Sequence, residues 1–382
     1  MIWDAVTGKM LAVLKGQTKN ITSTQYDPAS GFFVTTSGDS IVSIRNLLFL
    51  PVLNELKGKK NNLYSAQFSP DDKKILTVLG DSTAKIWDAA TGNLLVDMKG
   101  HQNLITYAQF SPACPDDPNG GKKMVTAAAS ASSSLSGTTK IWDAGTGNLL
   151  AEIKGNRNWL YSSQFSPDGK KIITVSSNRT SKVFDALTGN ILLDLQGHAS
   201  TATTIQYSPD GKKFVQLTSG RTTKIWDAST GIILAVLKGH SNLITSAQFS
   251  PACPDDPNGG KKMVTASRDS TAKIWDVATG NLLADLKGHT KSVSSAQFSP
   301  DGKKIVTIST DQTAKIWDAA TGNMLADLKG HTKMLRSAEF SPNGKKIVTA
   351  SQDSTAKIWD ASTGNLLADL NPDFAIDLSC KT

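Results

Sequence analysis

The chain has 382 residues, 39% of them hydrophobic and 19% charged, with a formal net charge of +8. No apolar run approaches the ~20 residues that cross a bilayer, and three cysteines are too few for a disulfide framework. The opening "MIWDAVTGKMLAVLKG" has no basic stretch followed by an uninterrupted apolar one. These features together lead us to expect a protein of the reducing cytoplasm, with no secretory signal and no membrane attachment.

Taken in chain order, the predicted elements repeat. A Trp–Asp pair or its softened copy begins at 3, 45, 87, 142, 184, 226, 275, 317 and 359, a step of 42 residues except for 55 before Trp142 and 49 before Trp275. A period of this size takes precedence over any local motif. Each period holds four alternating runs separated by Pro, Asp, Gly and Asn. In 285–326 they are "SVSSAQF", "KKIVTIS", "TAKIW" and "NMLADL", with the turns "SPDG", "TDQ" and "DAATGN" between them. Runs of this length and composition predict a four-stranded antiparallel meander. One such sheet cannot bury both faces, whereas equivalent sheets stacked about an axis can.

The "GH" before the first run, the "SPDG" between the first two and the "WD" closing the third resemble the WD40-repeat β-propeller family over nearly the whole chain to residue 370. The GH equivalents begin at Gly16, Gly58, Gly100, Gly155, Gly197, Gly239, Gly288 and Gly330. We therefore expect an all-β, eight-bladed propeller with four antiparallel strands per blade, with seven blades as the alternative because the first unit is eroded. The expected domain is 1–370, with blades near 20–57, 62–99, 104–154, 159–196, 201–238, 243–287, 292–329 and 334–370 and a tail at 371–382. Residues 9–15 and 361–370 both read as fourth strands and compete for one place, or one is spare; 9–15 is a candidate closure strand, and the sequence leaves open which of the two closes the ring. A start in mid-repeat suggests a piece of a longer chain.

The resemblance also assigns roles. It implies buried hydrogen-bonded tetrads of a GH histidine, a second-strand Ser or Thr, a turn Asp and the WD tryptophan. The matching sets are His240/Ser267/Asp269/Trp275, His289/Ser309/Asp311/Trp317 and His331/Ser351/Asp353/Trp359. Such groups are struts that satisfy buried polar atoms, so no catalytic residue is expected. Other blades depart from the pattern, with Lys59 and Leu79 in blade 2, Asn156 and Phe184 in blade 4 and Gly220 in blade 5.

Residues 285–326 and 327–368 agree at 32 of 42 positions, so the differences between copies carry information. They concentrate after GH, at Asn62, Leu104, Trp159, Leu243 and Met334, and two residues on at Tyr64, Tyr161 and Arg336; Arg268 varies in the turn after the second strand. In the family these positions face the channel rim. Aromatic, Met and Arg side chains there suit a protein interface, and we expect a protein partner. High identity between repeats further suggests, by the same resemblance, a bacterial sensor or scaffold module of a larger protein, with a monomeric propeller.

The basic excess is periodic. "KK" follows the first hairpin in seven units, from 73–74 to 345–346. A ring of paired lysines offers an alternative function, binding nucleic acid or an acidic protein by long-range steering. Two further features stand apart. "AAASASSSLSG" at 127–137 reads as a mobile loop. "SPACPDDPNGGKKMVTA" occurs at 111–127 and again at 250–266. Asp116, Asp117 and Asn119 are too few oxygens for Ca²⁺ and lack EF-hand spacing, and Cys114 and Cys253 are expected to lie too far apart to pair. We read the doubled stretch as the mark of a copied blade. No metal, phosphate loop, cofactor site or activated nucleophile is expected, and hence no enzyme activity.

Overall fold

The computed structural model describes residues 2–3, 10–12, 21–26, 32–37, 41–46, 52–57, 63–79, 82–114, 117–118, 120–128, 138–153, 160–176, 181–195, 202–218, 220–254, 256–257 and 259–370. Among the described residues there is no helix, and the strands form eight four-stranded antiparallel sheets, each in sequence order, with one further pair of strands. The protein is an all-β, eight-bladed β-propeller, which overturns the seven-bladed alternative.

The chain divides into two compact units. Leu14–Ile205 contains blades 1 to 4, whose first strands are Ile21–Tyr26, Leu63–Phe68, Ile105–Phe110 and Leu160–Phe165. The other unit joins Met1–Val13 to Gln206–Thr382. It contains most of blade 5, whose first strand is Ala202–Tyr207, and blades 6 to 8, which begin with Ile244–Phe249, Val293–Phe298 and Leu335–Phe340. Blade 8 completes itself, because its fourth strand Leu366–Leu370 pairs with Ala356–Asp360. Met10–Ala12, the other candidate closure strand, pairs with Ile2–Trp3 in a sheet of its own.

Strand registers place the motifs at opposite ends of each blade. In blade 6, Ile244 pairs with Ser267, which puts the segment after GH beside the turn leaving the second strand. Phe249 pairs with Met263, and Lys262 with Asp276, so the first hairpin and the WD turn share the other end. We call these the GH end and the hairpin end.

The core lies between successive blades. Val264, Ile274 and Leu286 of blade 6 pack with Val293, Phe298 and Trp317 of blade 7. Val306, Ile316 and Leu328 of blade 7 meet Leu335, Ile347 and Trp359 of blade 8 in the same way. Alternation along the second and third strands produces this, since each sheet presents apolar side chains on both faces. Trp317 is 1% exposed; removing a side chain of this size from a core costs roughly 3–5 kcal/mol. Hydrogen bonds tie the blades as well. The Gln248 amide oxygen accepts from the Phe298 N–H at 2.7 Å, and the Thr245 hydroxyl donates to the Val293 carbonyl at 2.7 Å.

Candidate functional site

The three histidines of blades 6 to 8 are buried, and each belongs to a hydrogen-bonded chain. In blade 7 the Trp317 Nε1–H donates to the Thr307 hydroxyl at 2.8 Å. That hydroxyl lies 2.8 Å from His289 Nε2, and His289 Nδ1 lies 2.9 Å from Asp311 Oδ2. The chain runs one way only if the neutral imidazole carries its proton on Nδ1, donates it to the carboxylate and accepts from Thr307 at Nε2. Blades 6 and 8 repeat it through Thr265 and Thr349. The hydroxyl in the chain therefore belongs to Thr265, Thr307 and Thr349, two residues before the expected Ser267, Ser309 and Ser351.

Those serines act elsewhere. Ser309 donates to the Lys291 carbonyl at 3.0 Å and accepts from the Asp311 N–H at 3.1 Å. Ser351 donates to the Lys333 carbonyl at 3.0 Å, and Ser267 to the Leu243 carbonyl at 2.9 Å. Each serine thus pins the segment after GH to the turn that carries Arg268, Thr310 or Gln352. Threonine and serine two apart project from the same face of a strand, so the sequence alone could not separate their roles.

Burial opposes ionisation of Asp269. Hydrogen bonds from Thr271, His240 and the Ser241 N–H outweigh it and hold its pKa down to about 2. Asp311 is likewise held at about 2, against its burial, by Thr290, Thr313 and His289. Burial also pushes His240 and His289 below the ordinary histidine value despite their carboxylates. These groups are neutral imidazoles and ionised carboxylates locked to one another, with no free nucleophile between them.

Of the residues expected at the rim, Leu104, Leu243, Arg268, Met334 and Arg336 are described, and the structure brings them to the GH end. The Arg268 N–H donates to the Leu243 carbonyl at 2.9 Å, and the Gln352 N–H to the Met334 carbonyl at 2.9 Å. With the Gln352 amide oxygen turned toward it, Arg336 donates from Nη2 at 2.6 Å and from Nε at 3.2 Å. Arg268 and Arg336 are exposed, and Leu243 and Met334 are half-buried. Leu104 of blade 3 is half-buried just before Ile105–Phe110. Asn62 and Trp159 lie outside the described residues. Tyr64 and Tyr161 fall in the first strands of blades 2 and 4, with side chains outside them.

The hairpin end has a different character. The second lysine of two pairs is structural, Lys262 donating to the Ala319 carbonyl at 3.0 Å and Lys304 to that of Ala361 at 2.7 Å, each in the following blade. Carboxylates interleave with the lysines. Asp318, for example, accepts from the Thr321 N–H and hydroxyl, which hold its pKa down with some help from Lys262.

Both copies of the doubled stretch also lie at the hairpin end. Each borders a cavity, about 360 Å³ beside Cys114 and about 390 Å³ beside Cys253. Both cysteines are free thiols. Asp116 and Asn119 lie outside the described residues, and among the described residues no three His, Cys, Asp or Glu converge as a metal site would require.

Comparison with known proteins agrees with this architecture. The family profile "WD domain, G-beta repeat" matches residues 8–46, 51–88, 147–185, 189–227, 231–276, 280–318 and 322–360. No curated protein sequence is significantly similar. Among solved structures, the computationally designed Ika8 protein is 28% identical and superposes with a TM-score of 0.68, over 91% of this chain and 98% of its own. The C-terminal WD40 domain of Sif2, at 19% identity and a TM-score of 0.62 over 81% of this chain and 86% of its own, shares the fold. The repeated GH and WD motifs, the four-stranded blades and seven profile matches together establish that this chain belongs to the WD40-repeat family.

Proposed function

We propose that the protein is a non-catalytic interaction platform that binds a protein partner through the GH end of its blades. WD40 propellers generally serve as protein-interaction scaffolds. The observation that carries the reading here is the contrast between a repeated frame and variable side chains mounted on it. Threonine, histidine and aspartate fix the blade, serine pins the loop, and Leu243, Arg268, Met334 and Arg336 vary on that fixed support. Side chains held in place lose less entropy on binding. Trp159, Asn62, Leu104, Tyr64 and Tyr161 extend the proposal to blades 2 to 4. The reading also takes the propeller to be a cytoplasmic monomer serving as a sensor or scaffold module of a larger bacterial protein. No described helix is long and apolar enough to cross a membrane.

Nucleic-acid binding through hairpin lysines is the weaker reading, because structural bonds and nearby carboxylates occupy much of that end. The test is affinity capture with the wild type and with Trp159→Ala/Arg336→Glu. We expect the double variant to lose specific partners at unchanged thermal stability. Identical partner sets would sink the proposal.

A further inference from the structure

The two ends of blades 6 to 8 differ in how their charges are used. At the hairpin end the exposed Lys261 is ion-paired with Asp256, and Lys303 lies close enough to Asp301 to lower its pKa. At the GH end every described carboxylate is already engaged. Asp269, Asp311 and Asp353 are held by histidine and threonine, and their side chains are only 6–7% exposed. Asp285, Asp327 and Asp369 are ion-paired with the buried Lys273, Lys315 and Lys357. Arg268, Lys291, Lys333 and Arg336 remain, all exposed, with no carboxylate within ion-pair distance among the described residues.

We propose that these four cations dock an acidic segment of a partner protein at the GH end of blades 6 to 8. The proposal rests on the platform reading above and names the partner's chemistry. Three observations favour a polypeptide. First, the cations are positioned: Ser309 and Ser351 fix the backbone carbonyls of Lys291 and Lys333, Gln352 orients the Arg336 guanidinium, and Arg268 sits on a turn bonded to Leu243. Second, the half-buried Leu243 and Met334 offer apolar contact beside the charges, the mixture found at protein interfaces. Third, no described side chain at this end of blades 6 to 8 offers an aromatic face to stack a base, since the histidine rings are buried, those of His240 and His289 against Trp275 and Trp317; binders of single-stranded nucleic acid rely on such faces. Exposed cations without an ion-paired carboxylate therefore also gather at the end opposite the lysine pairs that the sequence makes conspicuous.

The test is fluorescence anisotropy on the full chain with labelled decaglutamate as probe. Decaglutamate is expected to bind the wild type and to weaken roughly tenfold between about 50 and about 300 mM salt. Arg268→Glu/Arg336→Glu is expected to weaken binding by roughly tenfold or more, and Lys303→Glu/Lys345→Glu by less than about twofold. All three proteins are compared at equal melting temperature, and Lys291→Glu/Lys333→Glu replaces the arginine pair if that pair melts early. Absence of decaglutamate binding, an equal loss in the hairpin-end variant, or tighter binding of oligothymidylate of the same length would each overturn the proposal. The two readings fail separately. If Trp159→Ala/Arg336→Glu loses protein partners while decaglutamate does not bind the wild type, the platform stands and the acidic chemistry falls.

Discussion

At the scale of single residues, the threonine hydroxyls do the most. Thr307 accepts from Trp317 and reaches His289, so its loss leaves two buried nitrogens without partners. An orphaned buried polar group costs about 1–3 kcal/mol. We expect Thr307→Val to lower stability by about 2–4 kcal/mol in urea denaturation, and Ser309→Ala by about 1 kcal/mol, since it loses a loop contact only; the reverse order would refute the assignment. In blade 3 the hydroxyl of Thr138, the counterpart of Thr271, lies 2.9 Å from His101 Nδ1. Burial, aided by Lys140, pushes the His101 pKa down to about 4. Between pH 6.5 and that value the unfolded chain binds the extra proton, so stability must fall with falling pH across this window. Lowering the pH from 7 to 5 should cost the wild type about 1–2 kcal/mol more than His101→Asn, measured by urea melts at both values.

At the scale of elements, the hairpin between the first two strands shows how a turn residue is chosen. Gly169, Gly211, Gly302 and Gly344 occupy one position of "SPxG" with φ of 66 to 69°. Blade 2 has Asp72 there at φ 59°. A side chain is disfavoured in this region and glycine is not. Asp72→Gly is therefore expected to stabilise the protein by about 0.5–1 kcal/mol, visible as a raised urea midpoint. The doubled stretch is a clasp built into the same hairpin. A Cβ on Gly259 would fall 2.8 Å from the Ala252 nitrogen and from Pro209 of the preceding blade, while Cys253 Sγ lies against Gly302 of the following one. The copy does the same with Gly120, Pro70, Cys114 and Gly169. Each long hairpin touches both neighbouring blades, which gives a copied segment a packing role.

At the scale of the molecule, stability in a repeat protein is close to a sum of unit and nearest-neighbour contributions. Blades 6, 7 and 8 carry the complete Trp–Thr–His–Asp chain. Blade 5 has Gln216 at the threonine position, Gly220 at the aspartate position and Val236 opposite Lys224 where blade 6 pairs Lys273 with Asp285. Hydrogen exchange should therefore release the amides of Lys213–Thr218 before those of Lys262–Ser267 and Lys304–Ser309. Equal protection in the three strands would show that the tetrads add nothing to local stability.

The sequence by itself determined the repeat and the four strands of each blade and favoured eight blades, which the structure decided against seven. Alternation, turn residues and a 42-residue period are local signals, and eight copies of them repeat the same instruction. It also pointed to Leu243, Arg268, Met334 and Arg336, because copies otherwise nearly identical differ there. Only the tertiary structure decided which hydroxyl joins histidine to tryptophan, since Thr307 and Ser309 share a strand face and differ in depth. It likewise decided the partner of Met10–Ala12 and the balance of charge at the two ends. Lysine pairs are conspicuous in a sequence, but the carboxylates and carbonyls that engage them come from other strands and from the next blade, and a charge counts for recognition only where no such partner is in reach.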